Sequence, residues 1–138
     1  MSNDLRLYAK GTTGGTSSHA AIGYRLLDSS EEVLLEHAEG IGDATGHEAE
    51  YRAVLLGLSA CEKHLRQRIR CYSDNEMVVR QLRGDHPVTD PRLKQMVERV
   101  KRMAARFRHV EFSHAPHADR EMALAGRLAA AALEAPSA

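Results

Sequence analysis

Hydrophobic and polar residues alternate along the first third of the chain. Strand-like runs cover residues 5–10, 20–28 and 31–40, and the cluster Asp28-Ser29-Ser30 between the last two favours a turn. A period of two is typical of strands that bury one face. The pattern therefore predicts three antiparallel strands at the start of the fold.

The remaining two thirds of the chain combine helical periodicity with short apolar runs. The predicted helices are 48–65, 75–84, 92–107 and 119–133, and the predicted strands are 69–74 and 109–114. Ser73 and Glu76 have the spacing of a capping box at the second helix, which Gly84 can end. The order β-β-β-α-β-α-α-β-α predicts an α/β fold in which helical crossovers place the later strands parallel to the first.

Length and composition are those of a single domain. With 138 residues, 43% of them hydrophobic, we expect one domain over residues 1–138 with a loose tail at 134–138. No apolar run approaches the ~18 residues of a membrane-spanning helix, and the first residues do not resemble a signal peptide, so a cytoplasmic protein is expected. Cys61 and Cys71 fit no metal spacing and predict reduced, packed thiols without a disulfide.

The formal net charge is zero, but the charges are unevenly distributed. Residues 1–61 carry 4 basic and 9 acidic side chains, residues 62–108 carry 13 and 6, and residues 109–138 carry 2 and 4. A neutral total can therefore hide a basic face for nucleic acid or for an acidic protein partner. The candidate nucleic-acid-binding residues are Arg92, Lys94, Arg99, Lys101, Arg102, Arg106 and Arg108. A solvated helix face is the alternative, and an aromatic content of 4% offers few platforms for base stacking.

Two stretches carry a family resemblance. TGHEAEYRAVLLGL at 45–58 and YSDNEMVVRQLRGDHPVTDPRL at 72–93 resemble ribonuclease H of type 1 in its compact bacterial and archaeal form, and the resemblance extends from about Tyr8 to Leu128. It implies a five-stranded mixed sheet flanked by helices. It also implies hydrolysis of the RNA strand of an RNA–DNA hybrid by two Mg²⁺ ions, which four acidic side chains hold.

Carried over to this chain, the four acidic positions are only half filled. The family's helix glutamate matches Glu50, and the aspartate that ends its fourth strand matches Asp74. The Tyr-x-Asp-Gly motif reads Tyr8-Ala9-Lys10-Gly11, and the Ala-Asp-x-Leu-Ala motif of the last helix places Met122 at its acid. Asp119 is an alternative source of the fourth acid, although it is also suited to be a helix N-cap.

Lys10 has the wrong charge for a metal ligand and the right charge to neutralise two carboxylates. We expect its ammonium to bridge Glu50 and Asp74, lowering both carboxyl pKa values and raising its own. The alternative is an ordinary solvated lysine at a strand end. Each acid also has a simpler explanation, since Glu50 can favour the helix dipole and Asp74 can cap the helix that follows.

Other positions of the resemblance bear on proton transfer and on the substrate. His117 matches a loop histidine that assists proton transfer or product release in some members, although a solvent-exposed histidine is the alternative. The family's asparagine pair is replaced by Gly46-His47, and its Gly-Asn-Pro-Gly loop by Gly15-Thr16-Ser17-Ser18. Loss of these amides predicts weak discrimination of RNA from DNA.

The sequence thus favours a ribonuclease H-like protein that has lost two-metal hybrid cleavage and acts as a nucleic-acid-binding or protein-interaction module, as a monomer or homodimer. No cofactor is expected; if the protein is instead an active nuclease, Mg²⁺ or Mn²⁺ would bind weakly, through Glu50 and Asp74. One alternative is an active metal-dependent endonuclease with an altered ligand set. A second is a structural or dimeric interaction domain.

Overall fold

The computed structural model describes residues 4–14 and 19–135, and within them the chain forms five strands and four α-helices. The strands are β1 (Leu5–Thr13), β2 (His19–Leu27), β3 (Val33–Asp43), β4 (Arg68–Ser73) and β5 (His109–His114). The helices are α1 (Gly46–Ala60), α2 (Glu76–Arg83), α3 (Pro91–Ala104) and α4 (Arg120–Glu134), and a short 3₁₀ turn covers Glu62–His64. The predicted loop substitution at 15–18 and the last three residues of the predicted tail lie outside the described residues. Glu134, predicted to lie in that tail, is the last residue of α4.

The sheet has the order β3-β2-β1-β4-β5. β1 pairs antiparallel with β2, which pairs antiparallel with β3, whereas β1–β4 and β4–β5 are parallel. This confirms the predicted five-stranded mixed sheet. Because β1 and β4 run in the same direction and Tyr8 pairs with Tyr72, Lys10 within β1 lies beside Asp74, which follows β4.

Three details of the predicted helices are wrong, and one of them is that the third helix ends at Ala104 instead of residue 107. The first helix ends at Ala60 instead of residue 65, because the chain tightens there into the 3₁₀ turn. The second helix is capped by Asn75, whose side chain accepts a hydrogen bond from the N–H of Val78, so Ser73 does not form the predicted capping box. The Ser73 hydroxyl instead accepts from the N–H of Asn75 at 3.1 Å.

Strand β1 is buried on both faces. On one face Leu5 and Leu7 belong to the main core, which also contains Tyr51, Val54 and Leu58 of α1. On the other face Tyr8 belongs to a smaller apolar cluster, which also holds Met122 and Ala125 of α4. Helices α1 and α4 therefore enclose β1, and the alternation of the strand turns Lys10 toward the α4 side.

Both cysteines are buried free thiols, as predicted. Burial raises the pKa of the Cys61 thiol to about 12, which keeps it protonated at neutral pH. Within residues 4–14 and 19–135, no helix has both the length and the apolar character to cross a membrane.

Candidate functional site

Lys10 forms the centre of an ion-pair cluster at the edge of the sheet. Its Nζ lies 3.2 Å from Oε2 of Glu50 and 3.0 Å from Oδ1 of Asp74. Three elements supply these groups: β1 carries Lys10, α1 carries Glu50, and Asp74 directly follows β4. The predicted bridge between the two carboxylates is confirmed, so Lys10 is not an ordinary solvated lysine.

Gly11 lets helix α1 approach β1 closely enough to complete the cluster. A Cβ at Gly11 would lie 2.2 Å from the carbonyl carbon of Ala49, inside the backbone of the first helical turns. Its N–H donates to Oε1 of Glu50 at 2.5 Å. Glu50 is therefore held by two donors across the gap between strand and helix, and its carboxylate does more than favour the dipole of its own helix.

Burial and charge act differently on the three groups. The side chains of Glu50 and Asp74 are only 5% and 6% exposed, against 24% for Lys10. Burial raises the pKa of Glu50 to about 7, although Lys10 and the Gly11 N–H oppose the shift. The net pKa of Glu50 is thus raised and not lowered as expected, because desolvation of the carboxylate outweighs the lowering by the Lys10 ammonium.

The pKa values of Asp74 and Lys10 are shifted in the expected directions. Burial acts to raise the pKa of Asp74, but the hydrogen bond from Lys10 and its positive charge, together with the hydrogen bonds to His117 and Glu50, outweigh burial and lower it. Burial likewise acts to lower the pKa of Lys10, and the attraction of Glu50 together with the hydrogen bond to Asp74 raises it. Lys10 and Asp74 therefore form a charged pair at neutral pH, whereas burial favours the protonated form of Glu50.

His117 extends the cluster to the surface. Its Nδ1 lies 3.3 Å from Oδ2 of Asp74, and its side chain is 88% exposed. The loop between β5 and α4 positions it there. The matching loop position thus does place an imidazole beside the cluster, and its predicted part in proton transfer stays a prediction.

The position assigned to the fourth acid supplies no carboxylate. Met122 is fully buried in the apolar cluster with Tyr8, and Tyr72 packs against that cluster. Asp119 is the N-cap of α4, and its Oδ2 accepts from the N–H of Met122 at 3.0 Å. Its carboxylate is thus occupied by the helix terminus, which favours the N-cap role. Asp74 does not cap α2, since Asn75 does.

These residues do not fit the pair of divalent ions that the ribonuclease H resemblance implies. The Lys10 ammonium takes the place between the two carboxylates, and the buried Met122 offers a thioether instead of the oxygen that Mg²⁺ prefers. Over the part of the chain that the structure describes, no three His, Cys, Asp or Glu side chains come together as a metal ion requires. Weak Mg²⁺ or Mn²⁺ binding by Glu50 and Asp74 stays a prediction.

One feature of the cluster was not predicted from the sequence. The rings of Tyr8 and Tyr72 stack with centroids 4.7 Å apart and planes 9° apart. They are register partners on β1 and β4, each two residues before a member of the ion pair. The repeated Tyr-x-Lys and Tyr-x-Asp spacing at two strand ends was the signal available, and the stack supports the edge at which Lys10 and Asp74 meet.

Five of the seven candidate basic residues around α3 line one of two grooves, and Arg92 and Arg108 line neither. Arg92 lies 3.9 Å from Glu48 of α1 and is partly neutralised. Lys94 and Lys101 line a groove of about 280 Å³ on the α2 side. Three arginines line a shallow groove of about 250 Å³ beside Leu55 of α1, namely Arg99, Arg102 and Arg106. Arg99 and Arg102 form no ion pair with another described residue, and no acidic residue lines this groove, whereas Glu98 lines the other one.

Comparison with known proteins agrees with this architecture. Residues 8–130 match the family described as reverse transcriptase-like. Ribonuclease HI of Halobacterium salinarum is 31% identical over 119 residues, which cover 86% of this chain and 60% of that relative. The chain thus spans less than two thirds of that relative's length.

Two solved structures share the fold. The N-terminal RNase H domain of a Mycobacterium tuberculosis protein superimposes with a TM-score of 0.88 at 28% identity, covering 96% of this chain and 95% of that one. LC11-RNase H1, solved in complex with an RNA/DNA hybrid, gives a TM-score of 0.86 at 25% identity, covering 94% and 96%. The chain therefore belongs to the reverse transcriptase-like family and is a ribonuclease H-like protein.

Proposed function

We propose that this protein is a non-catalytic ribonuclease H-like module that binds nucleic acid through the α3 region. The observation that carries the proposal is the Lys10 ammonium between Glu50 and Asp74. Two-metal hydrolysis needs several carboxylates that converge on ions about 4 Å apart. Here two carboxylates converge on an ammonium, so the site does not supply the ligands for the two ions that would stabilise the attacking and leaving oxygens.

The binding part of the proposal is supported by the arginine groove of α3. Arg99, Arg102 and Arg106 face solvent together, and no acidic side chain lines the groove. Phosphates attract such unpaired guanidinium groups and release their counterions on binding. The groove is lined by positive charges and by no aromatic side chain on which a base could stack. Its binding of nucleic acid is therefore expected to be electrostatic and weakly specific.

RNA–DNA hybrid is the ligand to test first, because LC11-RNase H1 was solved with a hybrid and its fold matches this chain over most of both lengths. Duplex DNA and single strands serve as comparisons. Gly46 and His47 begin α1 where the family resemblance implies asparagines, so we expect little preference between hybrid and duplex DNA.

Cleavage is tested with a labelled hybrid in Mg²⁺ and in Mn²⁺, with Asp74→Asn as the matched variant. The expected result is no turnover approaching ~1 per second in either metal, and no difference between wild type and Asp74→Asn. Metal-dependent turnover in that range that Asp74→Asn abolishes would show an active nuclease with an altered ligand set.

Binding is tested by fluorescence anisotropy over a range of salt. Replacing Arg99 and Arg102 by Gln should weaken binding to all nucleic acids. The slope of log affinity against log salt concentration should fall by about two, because two fewer counterions are released. The control removes two charges from the opposite side of the sheet, Arg120→Gln and Arg127→Gln on α4. Equal losses in both variants, or no binding of wild type at low salt, would contradict the proposed surface and favour a protein partner.

A further inference from the structure

A cavity lies at the end of the sheet opposite Lys10. Its volume is about 260 Å³, and it opens beside the first residues of β1, β4 and β5. Three arginines line it, Arg6, Arg68 and Arg70, together with His109 and the carboxylates of Asp4 and Glu111. It therefore shares no lining residue with the ion-pair cluster or with the α3 grooves.

The strand register places the arginines side by side. Arg6 is the Cα partner of Arg70 across the parallel β1–β4 pair, and Arg68 precedes Arg70 by two residues on the same face. Their neighbours Leu5 and Ile69 point into the main core, so the arginines point away from it. Adjacent strands are only about 4.8 Å apart, and like charges directly opposite each other are destabilising unless an anion intervenes.

Carboxylates of this chain pair with two of the three arginines at long distance, and Asp4 adds negative charge near Arg70. Arg70 lies 3.6 Å from Glu111, and Arg6 lies 3.8 Å from Glu31. Charge-assisted hydrogen bonds are shorter, about 2.7–2.9 Å, so these pairs leave N–H donors able to turn to another acceptor. Arg68 is exposed and forms no ion pair with any other residue that the structure describes.

We propose that this cavity binds a phosphate group. A phosphate dianion presents several oxygens to guanidinium forks, and it would relieve the repulsion between neighbouring arginines. The volume is slightly below the ~300 Å³ at which pockets for drug-sized ligands begin. The cavity is therefore better suited to a phosphate group alone than to a larger phosphorylated molecule. Free phosphate and the terminal phosphate of a nucleic-acid strand both supply this chemistry.

The experiment follows the arginine Nε–Hε resonances of the whole chain by NMR during titration with inorganic phosphate at constant ionic strength. Arg6, Arg68 and Arg70 should shift and saturate together. Arg68→Gln should weaken phosphate binding about tenfold, as expected for the loss of a charge-assisted contact. Arg66→Gln is the matched control, because Arg66 is exposed two residues earlier and does not line the cavity, and it should bind phosphate like wild type.

A second pair of titrations identifies the source of the phosphate. A short oligonucleotide with a 5′-phosphate is compared with the same strand ending in a 5′-hydroxyl. A 5′-phosphate advantage that Arg68→Gln removes assigns the site to strand ends, and saturation by inorganic phosphate without such an advantage assigns it to free phosphate. No saturable shift at the three arginines with either probe, or an equal loss in Arg66→Gln, would overturn the proposal.

Discussion

Replacement of Lys10 by Met tests whether the ammonium holds the edge of the sheet together. Methionine keeps much of the length of the lysine side chain and removes its charge. Two carboxylates that are 5% and 6% exposed would then face each other without a counter-ion. Removing one partner of a buried ion pair destabilises a protein by about 3–5 kcal/mol, and we take the lower end because Lys10 itself is 24% exposed.

The size of the effect should depend on pH. The folded-state pKa of Glu50, about 7, lies above its ordinary value of 4.5. Protonation therefore favours the folded state, and Glu50's contribution to stability falls as the pH rises from about 4.5 to about 7. Loss of the ammonium raises that pKa further, so Lys10→Met should lose stability more steeply with pH than the wild type.

Thermal melts at pH 5 and pH 8 measure this directly. At pH 8 the variant should be about 3 kcal/mol less stable, which for 138 residues corresponds to a fall in Tm of about 10 °C. At pH 5 the fall should be clearly smaller, because a protonated Glu50 needs no counter-ion. Lys101→Met, an exposed lysine on α3, is the control and should change stability by less than about 0.5 kcal/mol. If Lys10→Met and Lys101→Met have the same Tm at both pH values, the ammonium of Lys10 does not stabilise the fold.

Three further predictions concern the same cluster. Lys10→Asp should have a lower Tm than wild type in EDTA, and Mg²⁺ or Mn²⁺ should raise the Tm of the variant. An equal rise in the Tm of wild type would contradict the proposed role of Lys10. In wild type, the titration of Glu50 should lower the free energy of unfolding by on the order of 3 kcal/mol between pH 4.5 and 7, and Glu50→Gln should lack this decline. Parallel curves of unfolding free energy against pH for the two proteins would show that Glu50 titrates normally. Gly11→Ala should cost about 2–3 kcal/mol in denaturant unfolding, because its Cβ would enter the backbone at Ala49, while Gly40→Ala meets no atom within 4 Å and should be nearly neutral.

The fold could be predicted from the sequence because its signals are local and agree with one another. Alternating runs predicted β1 to β3, and helical periodicity predicted the crossovers that make β4 and β5 parallel to β1. The helix ends were harder. Ser73, Asp74 and Asn75 are consecutive residues that can all cap a helix, and the backbone turn, which the sequence pattern does not reveal, selects Asn75.

The ion pair could be predicted for a different reason. The family resemblance assigns Glu50 and Asp74 to the edge of the sheet where β1 carries Lys10. An ammonium placed there between two carboxylates pairs with both of them. The pKa of Glu50 could not be predicted in the same way. Its direction depends on how far the carboxylate is removed from water, and that burial results from Gly11 admitting α1 against β1.

The presence of Glu50 and Asp74 is accordingly weak evidence for catalysis. Both carboxylates have partners within this chain: Lys10 contacts each of them, the Gly11 N–H donates to Glu50, and His117 adjoins Asp74. Loss of either acid would leave a partly buried ammonium with one counter-ion, so the fold itself has a use for both. An acid at a family position therefore indicates metal chemistry only when the positions around it also supply oxygen ligands, and here the first-strand position supplies the cation instead.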